Sequence, residues 1–300
     1  MLKIRHFYII TLLCCSSIAL YSCKEGKASR RMVTVSVLPQ KYFVEKIAGD
    51  YVQVNVMIPP GMNPATCDLS TGLLQKLYDS DVCFTIGHLP FEQAHLYPIL
   101  ENKKGIRVVN HSENLQLLRG SCNHSHHEGH QHEGIDPHIW LSVANARKMA
   151  NTIYQVLAEQ YPEQQEQFKK NQDSLLMEID ETARLAEEVF KDNRQRVFLI
   201  YHPALTYFAA DYDLEQIAIE DEGKEPNPVH LKKIINLARE KNIHLIFIQN
   251  QFDTTNAESI AHEINGQVIK IDPLAENWKK EMDKLIGIFR YSALSPDLKD

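Results

Sequence analysis

Histidines are concentrated in one polar stretch of this 300-residue chain. Five of the 14 histidines fall within nine residues that include no apolar side chain: His124, His126, His127, His130 and His132. Such a run cannot pack into a core, so we expect a loop over residues 123–133. Neutral imidazole is the most common protein ligand for zinc-like metals. The composition therefore predicts a loop that contacts metal ions, with a merely solvated polar loop as the alternative.

A sixth histidine, His138, follows Asp136 and Pro137 where the sequence changes abruptly from polar to apolar. Proline fixes its own backbone and pushes the preceding residue towards an extended conformation. We therefore expect His138 to be held rigidly at the edge of packed structure. There it could bind a metal ion, or it could serve only as a hydrogen-bonded structural histidine.

Three more polar residues come shortly after predicted strands, namely His88, His202 and Asp272. In parallel α/β sheets, ligands bind beyond the carboxyl ends of the strands. Histidine and carboxylate side chains together form a ligand set for zinc or manganese. With His138 they make four candidate metal ligands, although each of them alone could equally cap a helix or line a loop.

The elements that position these residues alternate between strand and helix in both halves of the chain. Runs rich in β-branched residues predict strands near 33–38, 52–58, 82–86, 106–110, 196–201, 216–219, 244–249 and 268–271. This alternation predicts an α/β fold of two lobes, each a mostly parallel sheet flanked by helices. We expect an N-terminal lobe over 32–162, a long rigid helix over 163–191 that lacks glycine and proline, and a C-terminal lobe over 192–300.

The N-terminus has the features of a secretory signal. Lys3 and Arg5 precede an apolar run that is short for a membrane span. The run ends in Leu-Tyr-Ser before Cys23, which resembles a bacterial lipobox, although Tyr21 stands where a small residue is more usual. We expect a signal peptide over 1–22, lipid on Cys23, a tether over 23–31, and an extracytoplasmic protein anchored at a bacterial membrane, in the periplasm or at the cell surface. An ordinary signal peptide cleaved nearby is the alternative.

Net charge and cysteine content limit the kinds of binding partner and of disulfide that the chain can have. The formal net charge is −7, which argues against nucleic acid or an anionic membrane surface as the binding partner. Beyond Cys23, the cysteines are Cys67, Cys83 and Cys122, an odd number that implies no complete disulfide framework. One disulfide between two of these cysteines, or a thiol near the metal ion, remain as alternatives.

The chain resembles the solute-binding lipoproteins of zinc and manganese ABC importers over nearly all of residues 32–290. The resemblance rests on Pro59-Pro60-Gly61-Met62-Asn63-Pro64, Ile86-Gly87 with Glu92, Asp136-Pro137-His138-Ile139-Trp140-Leu141, Tyr201-His202-Pro203-Ala204 with Tyr207-Phe208, Glu225-Pro226-Asn227-Pro228 and Asp272-Pro273-Leu274. It implies two lobes joined by a long helix, one metal ion in the cleft, and His138, His202 and Asp272 as ligands. The histidine-rich loop looks like the zinc branch of the family, which favours Zn²⁺ over Mn²⁺.

The same resemblance implies a non-enzymatic, monomeric protein that delivers its metal to an ABC permease in the membrane. One position departs from the pattern, because Ala65 stands where the family usually has a first histidine ligand. Water, His88, Cys67 or a histidine of the 123–133 loop could take the missing place. We favour His88, since its loop should lie on the same edge of the first lobe as the turn that contains Pro64.

Two other functions fit a site with three protein ligands. A zinc-dependent hydrolase would have an open coordination position for water. Glu92 or Glu220 would then have to act as the base, and the chain contains no HExxH motif. A surface adhesion lipoprotein stabilised by its metal is the other alternative, and chelation would distinguish it because removal of a structural metal unfolds the protein.

Overall fold

A computed structural model of the protein describes residues 31–62, 69–120, 134–221 and 223–294. The predicted signal peptide, Cys23, Ala65, Cys67, Cys122 and the 123–133 loop lie outside these residues. In chain order the strands and helices are β1 (Met32–Val35), α1 (Leu38–Ala48), β2 (Gln53–Val56), α2 (Thr71–Tyr78), β3 (Ser80–Thr85), α3 (Tyr97–Glu101), β4 (Arg107–Asn110), α4 (Val143–Gln160), α5 (Gln165–Lys191), β5 (Val197–Ile200), α6 (Thr206–Asp211), β6 (Glu215–Ala218), α7 (Pro228–Glu240), β7 (Leu245–Gln249), α8 (Thr255–Ile264), β8 (Gln267–Ile271) and α9 (Trp278–Leu294).

The strands form two four-stranded sheets, and every pairing in both is parallel. The first sheet has the order β2-β1-β3-β4 and the second has the order β6-β5-β7-β8. These sheets confirm the predicted α/β fold with two parallel-sheet lobes. In each lobe the chain changes direction across the sheet between its first and third strands. The crevice beyond β1 and β3, and that beyond β5 and β7, are therefore the places where such sheets bind ligands.

Helix α5 is the longest helix of the described residues, with 27 residues, or about 40 Å at 1.5 Å per residue. One face is buried along its whole length, as Phe168, Leu175, Ile179 and Phe190 show. The helix packs against α1, α4 and α9. Helix α5 therefore packs against its neighbours along its whole length instead of only separating the lobes, and we call it the spine. The residue limits given above for the lobes stay a prediction.

Polar contacts attach the spine to both lobes. From α1, the Tyr42 hydroxyl donates to Glu178 over 2.7 Å. Further along the spine, the Thr182 hydroxyl lies 2.9 Å from Asp283 of α9. One apolar core runs through both lobes and the spine. We infer that the lobes are held against α5 by burial as well as by hydrogen bonds, which limits their relative motion.

Two of the helices begin directly after a side chain that caps their first amides. Ser142 accepts a hydrogen bond from the Asn145 amide over 3.0 Å at the start of α4, as the sequence predicts. Asn227 accepts from two amides at the start of α7, and Pro228 occupies the first helical position. None of the helices in the described part of the chain is long and apolar enough to span a membrane.

Candidate metal site

His138 is fixed by the aspartate two residues before it. One Asp136 oxygen lies 2.8 Å from the His138 amide nitrogen and also 2.8 Å from its Nδ1. Burial raises the pKa of Asp136, but the charge and hydrogen bonds of His138 outweigh this effect, so that the pKa is lowered overall. The carboxylate therefore accepts the Nδ1 proton and leaves Nε2 as the ring nitrogen available to a metal ion.

His202 has an equivalent arrangement beyond the end of β5. Its Nδ1 lies 2.9 Å from Oε1 of Glu220, which follows β6. The Gln249 side chain, at the end of β7, accepts from the His202 amide over 3.3 Å and donates to the His202 carbonyl over 2.6 Å. Backbone and ring are thus held from two neighbouring strands. Again Nε2 is the nitrogen left for a metal ion.

The structure brings these two histidines together. Their ring centroids are 5.5 Å apart, with an angle of 68° between the planes. Both side chains are partly exposed. Two adjacent imidazoles, each with a carboxylate on Nδ1, form the arrangement in which an outer carboxylate orients a zinc-binding histidine.

Asp272 lies directly after β8, beside a cleft between the lobes. It lines a cavity of about 370 Å³ together with Met62 of the first lobe and Gln251 of the second. The Trp140 indole donates to the Pro273 carbonyl over 2.7 Å, so the segment that contains His138 is bonded to the segment that contains Asp272. The predicted carboxylate ligand is therefore connected to the histidine pair through one tryptophan.

His88 follows β3 in the first lobe and is partly exposed, and burial lowers its pKa. The residue before it, Gly87, has a φ of +104°, and a Cβ there would come within 2.2 Å of the Asn110 side chain. Only glycine therefore fits at this turn. Among the described residues, no ring contact or hydrogen bond joins His88 to His138, His202 or Asp272.

No three histidine, cysteine, aspartate or glutamate side chains of residues 31–62, 69–120, 134–221 and 223–294 are grouped closely enough to hold a metal ion. Of the four candidate ligands, the structure brings only His138 and His202 into direct contact. Cys83 is a free buried thiol in β3, whose pKa burial raises.

The two carboxylates considered as a hydrolytic base are both engaged. Glu92 is fully buried and accepts from the amides of Ile86 and Gly87, each over 2.6 Å, and from the Ser36 hydroxyl. Burial raises its pKa despite these hydrogen bonds. Glu220 is occupied by the His202 ring. Neither arrangement favours a base that activates water.

Sequence reasoning missed the groups that bond to the candidate ligands. Glu220 and Gln249 were not predicted to bond to His202. Glu220 and Gln249 lie at the ends of β6 and β7, on the same sheet edge as His202. Their position at strand ends was the one feature of the sequence that could have indicated their proximity to His202.

Two parallel α/β lobes on a helical spine, with a pair of adjacent histidines, define the two-lobed class of ligand-binding proteins. The model of one family, described as "ZnuA: Zinc-uptake complex component A periplasmic", matches residues 33–294. The chain belongs to this family.

Individual relatives agree with the family match. The chain is 26% identical over 302 residues to the zinc-binding lipoprotein AdcA of Streptococcus pneumoniae (strain ATCC BAA-255 / R6), with 97% of this chain but only 60% of that protein covered. It is 25% identical to the high-affinity zinc uptake system protein ZnuA of Bacillus subtilis (strain 168), over 91% of this chain and 88% of that one. A crystal structure of ZnuA superposes with a TM-score of 0.78 at 32% identity, over 87% of this chain and 98% of the other.

Proposed function

We propose that the protein captures Zn²⁺ outside the cytoplasm and delivers it to an ABC-type permease in the membrane. The observation that carries this proposal is the pair of adjacent imidazoles, His138 and His202, each with a carboxylate on Nδ1. Transport relatives support it, because the family is described as a zinc-uptake component and the relatives are named for zinc binding or zinc uptake. Mn²⁺ is the less favoured cargo.

The ligands in this proposal are His138, His202, Asp272 and His88. Asp272 lines the cleft, His202 follows β5 at the same edge of the second sheet, and the segment of His138 is bonded through Trp140 to the Pro273 carbonyl. His88 supplies the group that Ala65 cannot, after a small movement of the end of β3 towards the histidine pair. The result is a nitrogen- and oxygen-rich set of the kind zinc accepts.

The 123–133 loop collects zinc for the cleft. The described residues on either side of it are held side by side, since the Gly120 amide donates to the Gly134 carbonyl over 3.2 Å and the Asp136 amide donates to the Leu118 carbonyl over 2.9 Å. These flanking residues are thus close to Asp136, two residues from His138. Imidazoles on such a loop raise the local concentration of zinc beside the final site.

Lipid on Cys23 anchors the protein to a membrane. The metal is bound and released by ligand exchange, without turnover of a substrate. The family description places its members in the periplasm. A packed spine supports a binding role, because both lobes are fixed to it and only small closures are available. A monomer suffices, since one chain provides all of the proposed ligands.

A competitive zinc titration tests this function. We expect the protein to bind a single Zn²⁺ with a Kd on the order of nanomolar or tighter, and deletion of residues 123–133 to remove only weaker extra binding. The double variant His138→Ala with His202→Ala should lose the tight site while its circular dichroism spectrum stays unchanged. Tight zinc binding by that double variant would overturn the proposal. Loss of tight binding on loop deletion would instead assign the missing ligand to the loop and remove it from His88.

A further inference from the structure

Four aromatic rings form a continuous row through the proposed zinc site. Trp140 lies 5.3 Å from His138, His138 lies 5.5 Å from His202, and His202 lies 5.9 Å from Phe252, all between ring centroids. The two imidazoles are thus bracketed by one apolar ring at each end. The His202–Phe252 contact is stacked, with 29° between the planes.

The two ends of the row are held very differently. Trp140 is fully buried, its indole donates to the Pro273 carbonyl, and its own carbonyl accepts from the Trp278 indole over 2.7 Å. Phe252 is only partly buried and belongs to the connection between β7 and α8. The ring beyond His138 is therefore part of the core, whereas the ring beyond His202 lies on a surface segment.

The segment that contains Phe252 also lines the cleft. Asn250 and Gln251 lie on the wall of the cavity that includes Asp272, and Gln249 bonds to the backbone of His202. Phe252 itself packs on Tyr201, with ring centroids 4.9 Å apart. Residues 249–252 therefore contact His202 on its backbone and on one ring face, and reach the cavity that Asp272 lines.

The remaining contacts of His202 leave one motion free. Gln249 fixes its backbone and Glu220 fixes Nδ1, but a ring held by a single hydrogen bond can still tilt about that bond. A flat apolar neighbour on the ring face restrains this tilt, because offset stacking of aromatic rings has a preferred geometry. Phe252 is in the position to provide the restraint.

We propose that Phe252 is a positioning residue for zinc binding, which holds the plane of the His202 imidazole and slows the departure of bound zinc. This proposal rests on the proposed function. Phe252 binds no metal itself. It acts through His202, and its removal should change the rate at which zinc leaves more than the rate at which zinc enters.

Histidine ring resonances test the geometric part in the metal-free full-length protein. In wild type, the stacked Phe252 ring shifts the His202 ring protons upfield. The variant Phe252→Leu keeps an apolar side chain but has no ring current, so we expect the His202 resonances to move downfield while those of His138 stay in place. Unmoved His202 resonances would overturn the proposal.

Zinc kinetics test the functional part, with zinc removed by a chelator in stopped flow. We expect Phe252→Leu to accelerate zinc dissociation by about tenfold, the low end for an outer partner of a metal ligand, with little change in association. Phe252→Trp, which keeps an aromatic face, should restore slow dissociation. Phe190→Leu is the matched control, since Phe190 packs on Tyr212 and Phe289 away from the site and its loss should lower stability without changing either rate.

The outcomes separate this inference from the function on which it rests. A wild-type protein that binds no zinc would overturn both. Tight binding by wild type with unchanged dissociation from Phe252→Leu would overturn the role of Phe252 alone. An equal acceleration in Phe190→Leu would show that lost stability is the cause and would overturn it too.

Discussion

The two lobes have the same strand order, but they use the same edge of the sheet for different purposes. In the second lobe, His202 and Asp272 follow β5 and β8 and stay partly exposed, and Asp272 lines the cleft. In the first lobe, the topological counterpart of Asp272 is His111, the first residue after β4, and it is 4% exposed. One edge presents its polar groups to the cleft, and the other largely buries them.

The buried polar groups of the first lobe are used to hold backbone. Glu92 accepts from the two amides that follow β3, and Gln40 accepts from the amides of Ser36 and Val37 that follow β1. Each bond satisfies a donor that the end of a strand would otherwise leave unpaired. The strand order therefore determines where polar side chains gather. Whether those side chains are free to bind a ligand depends on how many backbone amides at the strand ends still need an acceptor.

Removal of one histidine from each lobe gives the largest expected effects. His202→Ala should weaken zinc binding by more than about 100-fold, because even the outer partners of such ligands are worth 10–100-fold. His88→Ala should cause a smaller loss, since water can occupy a fourth zinc position. Both affinities are measured by competition with a chromophoric chelator. Wild-type affinity in His88→Ala would exclude the sheet edge of the first lobe from the ligand set and make the difference between the two sheet edges complete.

Neutralisation of one carboxylate in each lobe should separate affinity from stability. Glu220→Gln removes the charged acceptor on His202 and should lower zinc affinity by about 10–100-fold, with little change in the free energy of unfolding. Glu92→Gln replaces one acceptor oxygen by an amide NH2 group, leaves a buried backbone donor without its acceptor, and should lower the free energy of unfolding by about 1–3 kcal/mol. Zinc competition and urea unfolding of the metal-free protein measure the two effects. The comparison fails if Glu92→Gln weakens zinc binding as much as Glu220→Gln while its stability is unchanged.

Periodicity and turn residues were enough to predict the fold. Alternating β-branched runs identified all eight strands of the two sheets, and the glycine-free stretch over 163–191 identified the spine. The boundaries were less accurate, since the apolar pattern predicts a helix from Tyr42 to Ala48, whereas α1 begins at Leu38. Helices α3, α8 and α9 were not predicted, although Asp253 accepts a hydrogen bond from the Thr255 amide at the start of α8 and Asn277 accepts one from the Lys280 amide at the start of α9.

For the candidate site, the sequence predicted which residues stand at strand ends but not which of them touch. His138 and His202 prove to be neighbours, but their contact joins residues 64 positions apart, which no local pattern encodes. The supporting contacts from Glu220, Gln249 and Phe252 depend on which strands lie side by side. Proximity at a sheet edge could be inferred from the order of elements, whereas hydrogen bonds to a given ring nitrogen required the packed structure.

The smallest expected effect concerns His111, and it appears as a dependence of stability on pH. Its Nδ1 accepts from Gln40 Nε2 over 3.0 Å, its ring stacks on Phe84, and its Nε2 has no hydrogen-bond partner among the described residues. Burial lowers the pKa of His111 to about 3, from an ordinary value of 6.5. The unfolded chain therefore binds this proton more readily than the folded protein does. The resulting contribution to stability is present in full above pH 6.5 and is lost as the pH falls towards 3.

Urea unfolding of the metal-free protein between pH 6 and pH 4 measures this contribution. The free energy of unfolding of wild type should fall more steeply than that of His111→Gln, by up to about 1 kcal/mol per pH unit. His262→Gln, at an exposed position of α8, is the control and should retain the wild-type slope. Equal slopes in wild type and His111→Gln would mean that the ring accepts a proton in the folded state. The first lobe would then have a histidine at its edge that accepts a proton, and the burial of this edge would not keep its polar groups from chemistry.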